Sequence, residues 1–152
     1  MRTLVSSMET GVRRTVLAEL ILVALASEAH AANINVPCSG AGGGTAGLIS
    51  AITTANATSG DTITLAAGCT YTLSAVDNFW YGPNGLPPIS SSMTIVGNGA
   101  KIVRSSVAST PIFRFFYVSG GLSGLPAGSL GLQDLTLTGG VQQGGHSEEH
   151  KR

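Results

Sequence analysis

Apolar and polar positions alternate in short bursts along this chain. An apolar residue, a threonine and an apolar residue recur at Ile63-Thr64-Leu65, Tyr71-Thr72-Leu73, Met93-Thr94-Ile95 and Leu135-Thr136-Leu137, most copies with glycine close behind. Alternation of period two marks a strand with one buried face. Lys101 to Arg104 and the stretch around Phe113, Phe115 and Tyr117 extend the pattern. Leu130, Leu132, Leu135 and Leu137 place four leucines inward around a break at Gln133-Asp134 that shifts the alternation by one, as a corner or bulge does. The strands sit among Gly-rich turns and follow a single amphipathic segment. That arrangement predicts an all-β solenoid of successive rungs rather than two facing sheets.

The amphipathic segment carries Leu48, Ile49, Ile52 and Ala55 at helical spacing, with Thr45 as N-cap and Ser59-Gly60 as its end. As the one helix, it is expected to bury its apolar face on the open end of the first rung. Two loops interrupt the strands. Residues 77–88 combine Phe79, Trp80 and Tyr81 with Gly82-Pro83, Asn84-Gly85 and Pro87-Pro88, and residues 120–128 are Gly-rich. Gly97-Asn98-Gly99 reads as a turn between two strands, since all three residues tolerate positive φ.

Upstream of all this, Arg13-Arg14 precedes an apolar run over residues 16–26 and the small-x-small site Ala29-His30-Ala31. This is the layout of a secretory signal peptide, and the run falls short of the roughly 20 residues that a membrane-spanning anchor needs. The organisation that follows is a signal peptide at 1–31, an N-terminal cap and first rungs at 32–145, and a solvated tail at 146–152. The mature chain then carries no membrane span, and the protein is placed outside the cell or in its envelope. Export also bears on Cys38 and Cys69, the two cysteines of the chain. An oxidising compartment favours their pairing, which would close a loop worth about 3 to 4 kcal/mol by chain entropy; the alternative is two unpaired thiols.

Charge is sparse. Only 11% of residues are charged, and between Ala32 and Gly145 these are Asp61, Asp77, Lys101, Arg104, Arg114 and Asp134. Three scattered basic residues make no phosphate-binding footprint, so nucleic acid is excluded as a partner. Candidate chemistry is equally thin. Gly42-Gly43-Gly44-Thr45-Ala46-Gly47 matches G-x-G-x-x-G before a helix, with Asp61 downstream, but no buried strand precedes it and too little chain follows for a doubly wound sheet. His146-Ser147-Glu148-Glu149-His150 matches H-x-x-E-H without an apolar helix face or a further ligand. Asp61, Asp77 and Asp134 read as turn and corner residues rather than as a carboxylate cluster. No catalytic residue, metal ligand or cofactor is therefore assigned. The loop of Phe79, Trp80 and Tyr81 is expected to fold back on the solenoid wall, because the neighbouring Leu86 and Ile89 also need cover; the alternative makes Trp80 and Tyr81 carbohydrate contacts, since aromatic faces stack on sugar rings.

The segments Gly60-Asp61-Thr62-Ile63-Thr64-Leu65, Gly68-Cys69-Thr70-Tyr71-Thr72-Leu73, the loop YGPNGLPPI from Tyr81 to Ile89, Met93-Thr94-Ile95-Val96-Gly97-Asn98-Gly99-Ala100 and the closing LTLTGG resemble the N-terminal region of exported bacterial right-handed parallel β-helix proteins with the pectin-lyase-like fold. The resemblance spans residues 33–140. It implies a right-handed parallel β-helix whose amphipathic helix is the N-terminal cap. Members continue for many more rungs, so the chain is expected to be incomplete at its C-terminus and to self-associate through an uncapped last rung. The implied function is a secreted or cell-surface protein with a structural or adhesion-like role, carbohydrate or surface components as partners, and no catalysis of its own. The alternatives are a fragment of a polysaccharide lyase or glycoside hydrolase whose active site lies on missing rungs, or a non-functional gene remnant.

Overall fold

The computed structural model describes residues 30–122 and 124–142. The expected signal peptide, but for its last two residues, and the H-x-x-E-H tail lie outside the described residues. Five strands and one helix run in the order β1 (Asn33–Val36), α1 (Gly44–Ala55), β2 (Asp61–Leu65), β3 (Thr70–Leu73), β4 (Ser92–Arg104) and β5 (Ser129–Thr138). Among the described residues, no helix is long and apolar enough to cross a membrane.

All strand pairings are parallel and belong to one sheet. β4 is its spine. β2 lies along the first half of β4, with Ile63 beside Ile95, and β3 along the second half, with Tyr71 beside Ile102. β5 follows both halves, from Ser92↔Ser129 to Val103↔Thr138. β1 extends the sheet beyond β2. Between its halves β4 bends at Gly97-Asn98-Gly99, where Asn98 (φ 51°) and Gly99 (φ 74°) are left-handed. β5 turns with it at Asp134 (φ 45°), and the register shifts between Val96 and Ala100. Gly97 makes the bend possible, since a Cβ there would stand 2.3 Å from the Asp134 carbonyl oxygen.

These pairings correct the fold class expected from sequence. The protein is a small, mostly-strand domain with a curled parallel half-barrel sheet and one helix; the described residues show no solenoid of rungs and hence no right-handed β-helix. The alternating triplets of β2, β3 and β4 each report one buried face, which a single curled sheet provides as well as a stack does, whereas the β5 leucines, expected inward, are half-buried at Leu130 and Leu135 and exposed at Leu132 and Leu137. Two local readings change with it. The Gly97-Asn98-Gly99 turn is a bend inside the one continuous strand β4. The stretch around Phe113 to Val118 is a loop, whose strand-like pairing is limited to isolated bridges such as Ile89↔Val118.

The concave side of the sheet is the core. Ile63, Leu65, Tyr71, Leu73, Ile95 and Ile102 are buried there with Leu86, Ile89 and Phe113 from the loops. α1 packs against β1, β2 and β3 through Leu48, Ala51, Ile52 and Ala55. Its N-cap is Gly43, which supplies no side-chain hydrogen bond. Thr45, expected in that role, instead donates its hydroxyl to the Thr72 carbonyl at 2.8 Å and ties the helix to β3. At the other end, the Asn56 side chain clasps residues 88–90, donating to the Pro88 carbonyl (2.7 Å) and accepting from the Ser90 N–H (2.8 Å).

Cys38 and Cys69 form a disulfide with Cα atoms 5.5 Å apart. It joins the approach to α1 to the turn before β3. Such a bond is kept in an oxidising environment and is rare where thiol reductants act.

Candidate functional site

The loop over residues 77–88 is built around one buried side chain. Asn84 is wholly buried. Its amide nitrogen lies 2.7 Å from Asn78 Oδ1 and 2.9 Å from the carbonyls of Trp80 and Gly82. Its backbone N–H donates to the Asn78 carbonyl at 2.8 Å, and its own carbonyl accepts from the Asp77 N–H at 2.7 Å. Asn78 closes the other side by donating to the Leu86 carbonyl and accepting from the Trp80 N–H. A buried asparagine in these surroundings organises a tight turn because side-chain amide and backbone offer matched donors and acceptors.

Arg114 locks the loop from outside. Its Nε donates to Asn84 Oδ1, its Nη2 to the Trp80 carbonyl at 2.5 Å, and its Nη1 to Gln142 Oε1 at 3.1 Å. The guanidinium also lies over the Tyr117 ring, 5.4 Å from its centroid, a cation–π contact. Tyr117 receives two more aromatic neighbours. Trp80 lies nearly parallel to it (6°) with centroids 6.5 Å apart, and Tyr81 is tilted by 31° at 5.4 Å. Both contacts fall in the separation range that favours offset or tilted aromatic pairs.

Trp80 and Tyr81, the two sequence candidates, thus stand side by side against Tyr117. Trp80 is partly buried, whereas Tyr81 is 67% and Phe79 75% exposed. The loop covers the core with Leu86 and Ile89, both fully buried, while presenting Phe79 and Tyr81 to solvent. Tyr81 is held outward by a left-handed backbone (φ 52°) followed by Gly82 (φ 113°), a conformation that a ring-bearing residue adopts only when its surroundings impose it. The result is a fixed aromatic ridge edged by a guanidinium and an amide. Sequence reasoning missed Asn84, Arg114 and Tyr117. The available signal was the placing of one of three basic residues of the 32–145 segment within the aromatic run Phe113 to Tyr117.

The remaining candidates resolve into structure. Asp61 is buried and its Oδ1 accepts from the Ala32 N–H at 2.8 Å, which anchors the start of β1. Asp134 occupies the corner of β5, opposite the bend of β4. Four positions of strand register separate the level of Asp61, beside Met93, from that corner, about 13 Å at the rise of a strand. The glycines before α1 serve the chain itself. Gly44 N–H donates to the Pro37 carbonyl at 2.8 Å, Gly47 N–H to the Gly43 carbonyl at 3.0 Å, and a Cβ on Gly47 would meet the Gly42 carbonyl oxygen at 2.1 Å. Among the described residues, no group of three or more His, Cys, Asp or Glu is placed to hold a metal ion.

No family model, curated protein or solved structure matches this chain.

Proposed function

We propose that this protein is an exported structural or adhesion-like domain that engages carbohydrate at the cell surface or in its surroundings and performs no catalysis of its own. The observation that carries this reading is the ridge of Trp80 and Tyr81, packed on Tyr117 and edged by Arg114, with Phe79 exposed beside it. Large aromatic side chains held outward together on a hydrogen-bonded loop mark a surface that meets a ligand or partner. The apolar face of a pyranose ring matches an exposed aromatic, and the polar groups at the ridge edge suit its hydroxyls. The disulfide and the leader-like N-terminus support export.

The test is affinity electrophoresis in gels containing soluble polygalacturonate, xylan, β-glucan or glycol chitin, followed by titration calorimetry on any that retards the protein. Retardation by at least one polymer is expected, with Tyr81→Ala reducing affinity about tenfold at unchanged melting temperature. Failure to bind any of the four, or equal binding by Tyr81→Ala, would remove the ridge from function. Release of reducing ends or unsaturated products by the wild type would replace the binding reading with an enzymatic one.

A further inference from the structure

We infer that the outer edge of β5 is a homodimer interface, in which two copies of this chain pair their β5 strands antiparallel about a two-fold axis between Gln133 and Asp134. Among the described residues, β5 pairs only with β4, so one side of a ten-residue strand is without a neighbour. Long unpaired edges accept further strands. Four leucines lie along it in register with buried residues of β4: Leu130 with Met93, Leu132 with Ile95, Leu135 with Ala100 and Leu137 with Ile102. They continue the core face past the last strand. Leu132 and Leu137 remain 42% and 40% exposed.

The occupant follows from the order of residues in the strand. Ser-Leu-Gly-Leu-Gln followed by Asp-Leu-Thr-Leu-Thr is a palindrome in polar and apolar character. Folding it on its midpoint sets Leu130 against the second copy's Leu137, Leu132 against its Leu135, and Gln133 against its Asp134, an amide donor facing a carboxylate acceptor. A two-fold interface requires this self-complementarity, since one patch must fit itself reversed. The bend supports the same axis. Because β5 turns at Asp134, with five residues in each arm, an antiparallel copy centred there retraces the bend, whereas a parallel copy of the same edge does not.

The backbone is already in phase. The Ser129 N–H donates to the Ser91 carbonyl at 3.0 Å, so strand alternation turns the polar groups of Leu130 and Leu132 outward. In the second arm, the Lys101 N–H donates to Cys69 of the β3 turn at 2.8 Å, which leaves Ala100 and Ile102 to serve β5. In a parallel ladder a residue bonds to the neighbours of its partner, so their partners Leu135 and Leu137 also present their groups outward. The residues that the palindrome sets opposite one another are those whose N–H and C=O are directed to the free edge, as a hydrogen-bonded antiparallel pair needs.

Sedimentation velocity of the protein with its disulfide intact is expected to show a monomer–dimer equilibrium that ends at the dimer. Leu132→Glu and Leu135→Lys should each weaken the dimer by at least about tenfold, and an equimolar mixture should restore it, because position 132 of one copy faces 135 of the other. Leu132→Glu mixed with Leu130→Lys should not recover. If a variant loses its cooperative melt, hydrogen exchange on the wild type reads the same interface: the amides of Leu130, Leu132, Leu135 and Leu137 should gain protection as concentration rises. A monomer at every concentration, open-ended oligomers from edge-to-edge stacking on β1, no rescue on mixing, or unchanged amide exchange would each overturn the proposal.

Discussion

Tyr71→Phe isolates a polar junction beneath the helix. The Tyr71 ring is fully buried, and its hydroxyl donates to the Val36 carbonyl at 2.7 Å while accepting from the Ala66 N–H at 3.2 Å. It thereby joins the ends of β1 and β2 from below. A buried phenol whose partners were stranded by its loss would be worth about 3 kcal/mol or more. Here the partners also have each other, because the Ala66 N–H donates to the Val36 carbonyl at 3.0 Å. Neither group is orphaned, so the expected cost falls to about 1 kcal/mol, or about 4 °C in Tm for a domain of this size. Tyr71→Ala, which empties the ring volume, should cost about 3 to 5 kcal/mol. The phenol adds a pH signature. Burial pushes its pKa above the ordinary 10.0, opposed by the Ala66 hydrogen bond. With the folded-state pKa raised, the contribution is fully present below pH 10.0, where folded and unfolded chains both hold the proton, and is lost as pH rises through the folded pKa. Urea titrations at neutral and alkaline pH measure both effects. The wild type should lose more stability than Tyr71→Phe above that pH. A loss above about 3 kcal/mol for Tyr71→Phe at neutral pH, or parallel alkaline limbs for the two proteins, would refute the shared-partner account.

Two other perturbations test the frame and the ridge. Replacing both Cys38 and Cys69 by Ser opens a loop with a sequence separation of 31 and should lower stability by about 3 to 4 kcal/mol in the same titration. Dithiothreitol should shift the wild type to the same midpoint and leave the double variant unmoved. Arg114→Met keeps the length of the side chain but withdraws its donors from buried Asn84 and from Trp80, so a cost of about 1 to 3 kcal/mol is expected. Trp80 fluorescence should become more quenchable by acrylamide; unchanged quenching would mean that Arg114 does not hold the ridge.

Much of the local structure was legible in the sequence, because burial leaves a period. The helix was readable from Leu48, Ile52 and Ala55, and the strands from the threonine-centred triplets, which occupy β2, β3, β4 and β5. The joining of those strands was not. Alternation states that one face is buried and is silent on how many neighbours share the sheet, so the same residues suited a stack of rungs as well as a curled half-barrel. Turn signals were ambiguous for a related reason. Asn98 and Gly99 need positive φ whether the chain reverses or only bends, and only the partner of the following segment decides between them. Since β5 runs along both halves of β4, the chain bends.

The ridge shows where sequence reading stopped and why. Trp80 and Tyr81 were visible as adjacent aromatics in a loop full of glycine and proline, but whether such rings cover the core or meet solvent depends on the loop's own anchors. Leu86 and Ile89 take the covering role, and they reach the core because Asn84 folds the intervening chain into a tight turn. Asn84 in turn keeps its oxygen satisfied through Arg114, thirty residues away in sequence. An asparagine beside a glycine is common in turns, and a lone arginine among phenylalanines carries no period. Their joint role exists only in three dimensions. A single cation, placed where it bonds to a buried amide and a carbonyl while lying over Tyr117, orders the loop that presents Tyr81. In a chain this poor in charge, the arginine that serves the ridge is better understood as part of its construction than as surface solvation.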